Sequence, residues 1–208
     1  MLCIPLHAHS EKELYSLIKK AAKKKPDLLE IWLDDLKNPD IRRIIELAEC
    51  PTIFVNRKNP TVEQFQEVIE ENSAFIDLDI RTSKNIIKKI APQERRTKLI
   101  ISYHDYEKTP SQEVLGEIVN GIFKLGADVA KVATQVQKDE DEKVLLAILK
   151  KYKLHKKKII IHGMGEKSQK SRLECYKNGS EIAYVALDKN HKTAPGQITI
   201  DQWRATLR

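Results

Sequence analysis

Eight short apolar runs, each rich in β-branched residues, recur along this chain of 208 residues. Such runs predict buried β-strands, and the segments between them, with apolar residues three and four positions apart, predict amphipathic helices. The predicted strands are Met1–Leu6, Leu28–Leu33, Thr52–Asn56, Phe75–Ile80, Lys98–His104, Asp128–Thr134, Lys158–Met164 and Ile182–Leu187. The clearest helical patterns are Ser10–Lys24, Val62–Glu71, Gln112–Leu125 and Glu140–Tyr152, with a last helix after Thr199.

This alternation predicts an α/β protein in which parallel strands are joined by crossover helices. Closing eight such units gives a compact single-domain (β/α)8 TIM barrel over residues 1–208, although about 250 residues is more usual for that fold. A doubly wound open sheet is the competing architecture. Because no predicted strand is followed by the glycine-rich turn that a dinucleotide site needs, the sequence favours the barrel.

The composition bounds the cellular setting. The apolar share of 41% is enough for a sizeable core. No run reaches the roughly 18 apolar residues of a membrane span, and the amino terminus lacks the charged start and long apolar stretch of a signal peptide. We therefore expect a soluble, cytoplasmic protein without a membrane partner. Three widely spaced cysteines, Cys3, Cys50 and Cys175, predict buried or idle thiols.

The formal net charge of +7 raises the question of a nucleic-acid partner. The basic runs at 23–25, 95–98 and 150–158 match no nucleic-acid motif, and each precedes a predicted strand. They should therefore lie at the face of the barrel opposite the carboxyl ends of the strands. A solvated, lysine-rich face explains such runs, and we predict no specific nucleic-acid partner.

A lysine stands in the middle of the sixth predicted strand. Lys131 is flanked by valine and alanine on both sides, and an amine in such a place must be paired, neutral or covalently used. Desolvation is expected to lower its pKa towards neutrality and make it a nucleophile that forms an imine with a ketone. The alternative is a structural lysine paired with a buried acid such as Asp128.

A histidine ends the fifth predicted strand. The pKa of an unperturbed imidazole suits His104 to remove a proton next to a protonated imine and then to protonate a leaving hydroxyl. A strand-end histidine is also often a satisfied structural residue, and only the company of Lys131 favours the catalytic interpretation. Glu30, Arg57 and His162 stand at other strand ends, where barrels carry their chemistry.

The residues at these strand ends resemble type I 3-dehydroquinate dehydratases. The order and spacing of the matching segments fit, and the resemblance covers nearly the whole chain. The segments are Ser102-Tyr103-His104-Asp105, Gly126-Ala127-Asp128-Val129-Ala130-Lys131-Val132-Ala133 and Thr193-Ala194-Pro195-Gly196-Gln197. Supporting matches are Glu30 with Asp34, Asp77-Leu78-Asp79, Gly163-Met164-Gly165 and Ser171-Arg172.

The resemblance implies a (β/α)8 lyase of the shikimate pathway, which leads to aromatic amino acids. The reaction would convert 3-dehydroquinate to 3-dehydroshikimate and water, with no metal ion and no diffusible cofactor. In this interpretation Lys131 forms the Schiff base. His104 acts as general base and acid in the elimination and in formation and hydrolysis of the imine.

The resemblance also implies the substrate contacts and a homodimer. Arg172, Gln197 and Thr193 would bind the substrate carboxylate, for which a guanidinium fork is suited, while Glu30 and Arg57 would hold the ring hydroxyls. Each of these could instead be an ordinary ion-pair or strand-end residue. The loop at 188–197 is predicted to close over the substrate. Trp203 in the last helix would face a partner surface or pack against the barrel.

Two departures from the family pattern bear on activity. Trp32 stands where the family usually has an arginine, so that one donor to the substrate is missing. The glutamate that usually partners the catalytic histidine is absent, with Thr61 nearest in register. Asp79 and Asp105 are the candidates to replace it. Thr193 replaces the usual serine but keeps a hydroxyl group.

Three other functions remain open at this point. His7-Ala8-His9 resembles the histidine pair of metal-dependent amidohydrolases, whose site also needs a carboxylated lysine and further histidines. Schiff-base aldolases of the same fold also carry a lysine on the sixth strand, but the chain has no glycine-rich phosphate cradle after its last strands. A barrel that binds its ligand without turnover is the third alternative.

Overall fold

A computed structural model of the protein describes residues 1–91 and 96–207. Within those ranges eight strands and eight α-helices alternate along the chain. The strands are β1 Leu2–Leu6, β2 Leu28–Trp32, β3 Thr52–Val55, β4 Phe75–Asp79, β5 Lys98–Asp105, β6 Val129–Gln135, β7 Ile159–Met164 and β8 Ala183–Tyr184. The helices are α1 Glu11–Ala22, α2 Ile41–Ala48, α3 Val62–Glu70, α4 Lys84–Ile90, α5 Gln112–Lys124, α6 Asp139–Leu154, α7 Gln169–Lys177 and α8 Ile200–Thr206, and a short 3-10 helix, Glu166–Ser168, precedes α7.

The strands form one sheet in the order β7-β6-β5-β4-β3-β2-β1-β8, in which each resolved strand pair is parallel. The two outer strands are joined through the segment before β8. The amide of Glu181 donates to the carbonyl of Ile159 over 3.0 Å, and the amide of Ile161 donates to Ser180 Oγ over 2.9 Å. The sheet is therefore a nearly closed barrel, which confirms the predicted (β/α)8 fold.

The strand pattern predicts the boundaries closely because each strand is a short run of mostly buried residues. Seven strands begin and end within one residue of the predicted bounds. The last strand is the exception: β8 has two residues in place of the predicted Ile182–Leu187, and Ala186 pairs instead with Thr199. The five helices named from the sequence are present, and α2, α4 and α7 are additional.

Polar residues fix where several helices begin. Ser10 Oγ accepts a hydrogen bond from the amide of Glu13, and Thr61 Oγ1 accepts one from the amide of Gln64. A side-chain oxygen in this position satisfies an amide that has no partner inside the helix. Thr61 is therefore the N-cap of α3, and no contact of this residue with His104 is found within the described ranges.

Alternation along the strands divides the apolar residues into two layers. One set fills the space between the sheet and the helices, and the other closes the amino-terminal half of the barrel interior. The interior set comprises Cys3, Leu28, Ile53, Phe75, Ile100, Val129, Ile160, Ile182 and Tyr184. Trp203 is fully buried with its ring 5.5 Å from that of Tyr176, so this indole packs against the barrel and is not a partner surface.

Membrane spans, cysteines and basic runs were the other features considered from composition. None of the helices in the described parts of the chain combines the length and apolar content of a membrane span. All three cysteines are free thiols, with Cys3 and Cys175 buried. The basic run at 95–98 begins outside the described residues, whereas Lys23–Lys25 directly follow α1 and lie at the amino-terminal side of β2.

Candidate active site

The barrel interior becomes polar one layer beyond the interior apolar set, towards the carboxyl ends of the strands. Side chains two positions further along the strands point into the same space, because successive residues of a strand face opposite sides. This layer holds Glu30 of β2, Asp77 of β4 and Lys131 of β6, each at most 3% exposed. Charged groups are buried so deeply only when they are paired or used, which makes this layer the candidate active site.

Lys131 is held by two carboxylates. Its Nζ lies 2.8 Å from Asp77 Oδ2 and 3.2 Å from Glu30 Oε2, and it sits 4.2 Å from the ring centroid of Tyr184. Burial by itself disfavours the ammonium form, but the two carboxylates outweigh it and hold the pKa of Lys131 above its ordinary value. The predicted lowering of this pKa is therefore wrong, and Asp77 and Glu30 are the partners in place of Asp128.

His104 faces an acid on one side and a cation on the other. Its Nδ1 lies 3.3 Å from Asp79 Oδ2, and its Nε2 lies 3.4 Å from Arg57 Nη2. Burial lowers the pKa of His104, Asp79 opposes that shift, and the cations Arg57 and Lys131 add to it. The net direction is downward, so the imidazole is neutral at pH 7 and available as a base.

Asp79 takes the place of the glutamate that the family pattern has and this chain lacks. Arg81 holds Asp79 through two hydrogen bonds, Nε to Oδ1 at 2.7 Å and Nη2 to Oδ2 at 2.9 Å. Asp105, the other candidate, instead accepts hydrogen bonds from the amides of Glu107 and Lys108. Of the two acids considered from the sequence, Asp79 is therefore the partner of His104.

Trp32 organises the wall next to Lys131. Its Nε1 donates to Glu30 Oε1 over 3.0 Å, which leaves Oε2 of the same carboxylate to Lys131. The guanidinium carbon of Arg57 lies 4.8 Å above the Trp32 ring, in the geometry of a cation–π contact. The indole thus supplies a donor to Glu30 and a platform for Arg57.

Arg172 is a buried cation without a buried anion. It is 4% exposed, its Nε donates to Ser168 Oγ over 3.2 Å, and it forms no ion pair with the acids of the described ranges. Burial lowers its pKa to about 10. The guanidinium of Arg172 has five N–H donors in a rigid fork, and one of them is used by Ser168. The others are available to a planar anion.

The loop at 188–197 packs against the turn that follows β7. Gln197 is 3% exposed, and its Oε1 accepts from the amide of Thr193 over 2.9 Å. Gly196 adopts a φ of +76° and passes so close to the β7 turn that an added Cβ would lie 2.0 Å from the carbonyl oxygen of Gly165. Only glycine fits at this crossing.

All seven residues proposed from the sequence line one cavity of about 70 Å³. They are Glu30, Arg57, His104, Lys131, Arg172, Thr193 and Gln197. The sequence did not single out Tyr184 and Tyr106, which also line it, and Asp77 appeared only within a supporting match. Their signal was weak: Tyr106 is exposed and follows β5, and Tyr184 and Asp77 lie in apolar strands, where burial alone does not indicate which side chain they meet.

His162 also lines this cavity and is deeply buried. Its Nδ1 has no hydrogen-bond partner within the described ranges, and its ring lies 5.5 Å from that of Tyr184. Burial, together with the cations Arg172 and Lys131, lowers the pKa of His162 well below its ordinary value. The imidazole is therefore neutral and resists protonation as the pH falls.

We expect this resistance to make the protein acid-sensitive. Below pH 6.5 the unfolded chain protonates His162 and the folded chain does not, so the free energy of unfolding falls with pH by about 1.4 kcal/mol per unit for such a group. In His162→Gln the slope between pH 6.5 and 5 should be smaller by that amount, measured by urea unfolding across the range. His104 contributes equally to the pH dependence of stability in the wild type and in the variant, so it does not affect the difference. If the two proteins show the same pH dependence, His162 is not buried in the neutral form.

Comparisons with known proteins agree with this architecture. The sequence matches the profile of the family described as type I 3-dehydroquinase over residues 2–208. It is 34% identical to the 3-dehydroquinate dehydratase of Methanocaldococcus jannaschii over 223 residues, covering 100% of this chain and 98% of that protein. It is 31% identical to a bifunctional 3-dehydroquinate dehydratase/shikimate dehydrogenase of Arabidopsis thaliana, covering 96% of this chain and 35% of that protein.

Solved structures give the same fold. The crystal structure of 3-dehydroquinate dehydratase from Geobacillus kaustophilus superposes with a TM-score of 0.87 over 99% of this chain and 89% of that chain, at 23% identity. That identity is informative for the fold alone. The profile match and the Methanocaldococcus jannaschii relative decide the assignment, and the chain belongs to the type I 3-dehydroquinase family.

Proposed function

We propose that this protein dehydrates 3-dehydroquinate to 3-dehydroshikimate through a Schiff base on Lys131. Family membership supports the overall reaction. The observation that carries the residue assignment is the shared cavity of three groups: an amine between two carboxylates, a neutral imidazole and a guanidinium without a buried counter-ion. Imine chemistry needs the first two groups, and a carboxylate substrate needs the third.

The carboxylates around Lys131 suit every stage of this chemistry. For the amine to attack the ketone carbon, the ammonium must first give a proton to a neighbouring base, and Asp77 and Glu30 lie within hydrogen-bond distance. The attack gives a carbinolamine, and loss of water gives an imine that regains the proton. The protonated imine has the same charge in the same place as the ammonium, so Asp77 and Glu30 stabilise it as they stabilise the free lysine.

His104 then performs the elimination. The protonated imine withdraws electrons from the adjacent carbon, and the neutral imidazole removes a proton there to give an enamine. The imidazolium returns that proton to the hydroxyl that leaves as water, while the enamine electrons re-form the protonated imine in conjugation with the new double bond. Hydrolysis of this imine releases the product and restores Lys131, so atoms and charges balance.

The remaining residues position the ring. Arg172 would bind the substrate carboxylate, and Gln197 and Thr193 of the loop at 188–197 line the same cavity. Arg57 and Glu30 are placed for the ring hydroxyls, and Trp32 orients both of them through its Nε1–H donor and its ring face. Trp32 thus acts through its neighbours where the family arginine would contact the substrate.

The first test is direct turnover. Wild-type protein mixed with 3-dehydroquinate should produce the ultraviolet absorbance of a conjugated enone, and sodium borohydride added during turnover should attach substrate-derived mass to the chain. Absorbance without a trapped adduct would exclude the imine and leave the family reaction intact. Binding without absorbance would instead identify a barrel that has lost turnover.

Arg172→Met should separate activity from stability. We expect kcat/KM for 3-dehydroquinate to fall by about 10²-fold or more, since removing one partner of a buried charged contact costs on the order of 2–5 kcal/mol. The free energy of unfolding should rise, because the change removes a buried cation that has no buried anion. Steady-state kinetics and urea unfolding measure the two effects.

The matched control for this variant is Arg42→Met. Arg42 is exposed and pairs with Glu71 on the outer surface, so its replacement should leave kcat/KM unchanged and shift stability by less than about 1 kcal/mol. A loss of stability in Arg172→Met would show that the guanidinium is structural, and unchanged kinetics would remove it from the substrate site.

We further propose a cytoplasmic homodimer, which rests on the family resemblance and not on any surface of this chain. Light scattering coupled to size-exclusion chromatography tests the oligomeric state. A mass equal to one chain of 24.0 kDa would exclude the dimer under those conditions.

A further inference from the structure

A cluster of side chains that can ligate a metal ion lies at the same end of the barrel as the Schiff-base cavity. His7 and His9 follow β1, and Asp35 follows the neighbouring β2, whose residue Ile31 pairs with Leu6. His7 Nε2 lies 2.8 Å from Asp35 Oδ2, and His9 Nδ1 lies 3.3 Å from the same oxygen. Two imidazoles thus converge on one carboxylate oxygen from a single loop.

The spacing of these atoms is close to that of a metal site. One ligand atom from each residue can be chosen so that all three lie within 4.8 Å of one another. Bonds of about 2.0–2.2 Å in tetrahedral geometry place ligand atoms about 3.4 Å apart. The 3.3 Å between His9 Nδ1 and Asp35 Oδ2 fits this value, and the 2.8 Å between His7 Nε2 and the same oxygen is a hydrogen bond that a bound ion would widen. The side chain of His9 is 74% exposed, so its ring can move to complete the geometry.

The surroundings leave the cluster open to an ion. Lys58 Nζ contacts Asp35 Oδ1, so the other oxygen of that carboxylate remains for the histidines. Asp34 accepts hydrogen bonds from the amides of Arg57 and Lys58 and fixes the adjoining loop. The His7 ring lies 5.2 Å from the Trp32 ring, which supports it on the inner side.

We propose that His7, His9 and Asp35 bind a divalent transition metal ion at the mouth of the barrel, with Zn²⁺ the best chemical match. Two imidazoles and one carboxylate suit Zn²⁺ and Co²⁺ and do not suit Ca²⁺ or Mg²⁺, which prefer oxygen ligands. Solvent at the exposed side supplies the remaining coordination positions.

This metal site is separate from the Schiff-base cavity. None of its three ligands lines the cavity of Lys131 among the residues described, although Trp32 belongs to that cavity and touches His7. The imine supplies the electron sink that the dehydration needs, so the ion has no step in that reaction. Its effect on the catalytic site would pass through Trp32, which hydrogen-bonds Glu30.

Titration with Co²⁺ tests the proposal, using untagged, chelator-treated protein so that no added histidines compete. The wild type should bind one equivalent and develop the visible absorption of a four-coordinate Co²⁺ ion, and Zn²⁺ should displace it. His9→Ala should weaken binding by at least about tenfold while remaining folded and active, since His9 is exposed and lies outside the catalytic cavity. The control is His155→Ala, which removes an exposed histidine at the carboxyl-terminal end of α6. This variant should bind Co²⁺ as the wild type does.

Tryptophan fluorescence gives an independent test of location. The chain has two tryptophans, and only Trp32 is beside the proposed ion. Bound Co²⁺ should quench the tryptophan emission of the wild type in proportion to occupancy. The variant Trp32→Phe should still bind Co²⁺, but the emission of its remaining tryptophan, the buried Trp203, should not change. No saturable binding in the wild type, or equal affinity in His9→Ala, would overturn the proposal whatever the dehydratase activity.

Discussion

Replacement of Lys131 with alanine should abolish the borohydride-trapped adduct and lower kcat by up to about 10⁶-fold, the scale on which loss of a covalent nucleophile costs an enzyme. The variant should also lose stability, by about 3–5 kcal/mol, because Asp77 and Glu30 are then buried without their cation. Intact-mass and peptide mapping after trapping measure the first effect, and urea unfolding measures the second.

Lys131→Arg separates these two causes. A guanidinium keeps a positive charge between Asp77 and Glu30 but does not deprotonate to attack a ketone. We expect this variant to recover much of the lost stability and none of the activity. Lys167→Ala is the matched lysine control, since Lys167 lies at the same end of the barrel with its amine on the carbonyl of Gln137, and it should be trapped as the wild type is. If borohydride still traps an adduct in folded Lys131→Arg, the Schiff base forms on another amine and the assignment to Lys131 is wrong.

The sequence predicts the fold well because its signals are local. Short apolar runs and N-cap residues such as Ser10 and Thr61 act within a few positions, so strand and helix bounds follow from short windows. The strand that the sequence predicts least well is β8. It has two residues, and beyond it Ala186 pairs with Thr199. That contact depends on a loop returning from thirteen residues away, and no short window contains it.

The sequence predicted residues that line one cavity, but it did not predict the electrostatics around Lys131. Barrel topology brings Lys131 of β6 and His104 of β5 together, and Arg172 reaches the same cavity from α7, the helix that follows β7. The pKa of Lys131 depends instead on Glu30 and Asp77, which are 101 and 54 residues away in the sequence. Apolar neighbours along the strand predicted a lowered pKa, whereas the facing strands supply two carboxylates that reverse its direction.

His104→Ala should lower kcat by about 10²- to 10⁴-fold, the usual contribution of a general acid–base. Because the pKa of His104 is lowered in the folded protein, the acid limb of the kcat/KM profile should lie below pH 6.5 in the wild type. The variant should lose that limb. Lys131 remains in place, so borohydride should still trap an adduct, and its mass should exceed that of the dehydrated adduct by one water.

Asp79→Asn tests the partner that replaces the family glutamate. Asp79 raises the pKa of His104 against the effects of burial and of Arg57, so removing its charge should move the acid limb further down in pH. We expect kcat to fall by about 10- to 100-fold, the range for residues that orient a catalytic group, with KM little changed. His155→Ala, an exposed histidine distant from this cavity, should leave the profile as it is. An unshifted acid limb in Asp79→Asn would mean that a group other than His104 titrates in this reaction, because no neutral amide can supply the lost charge.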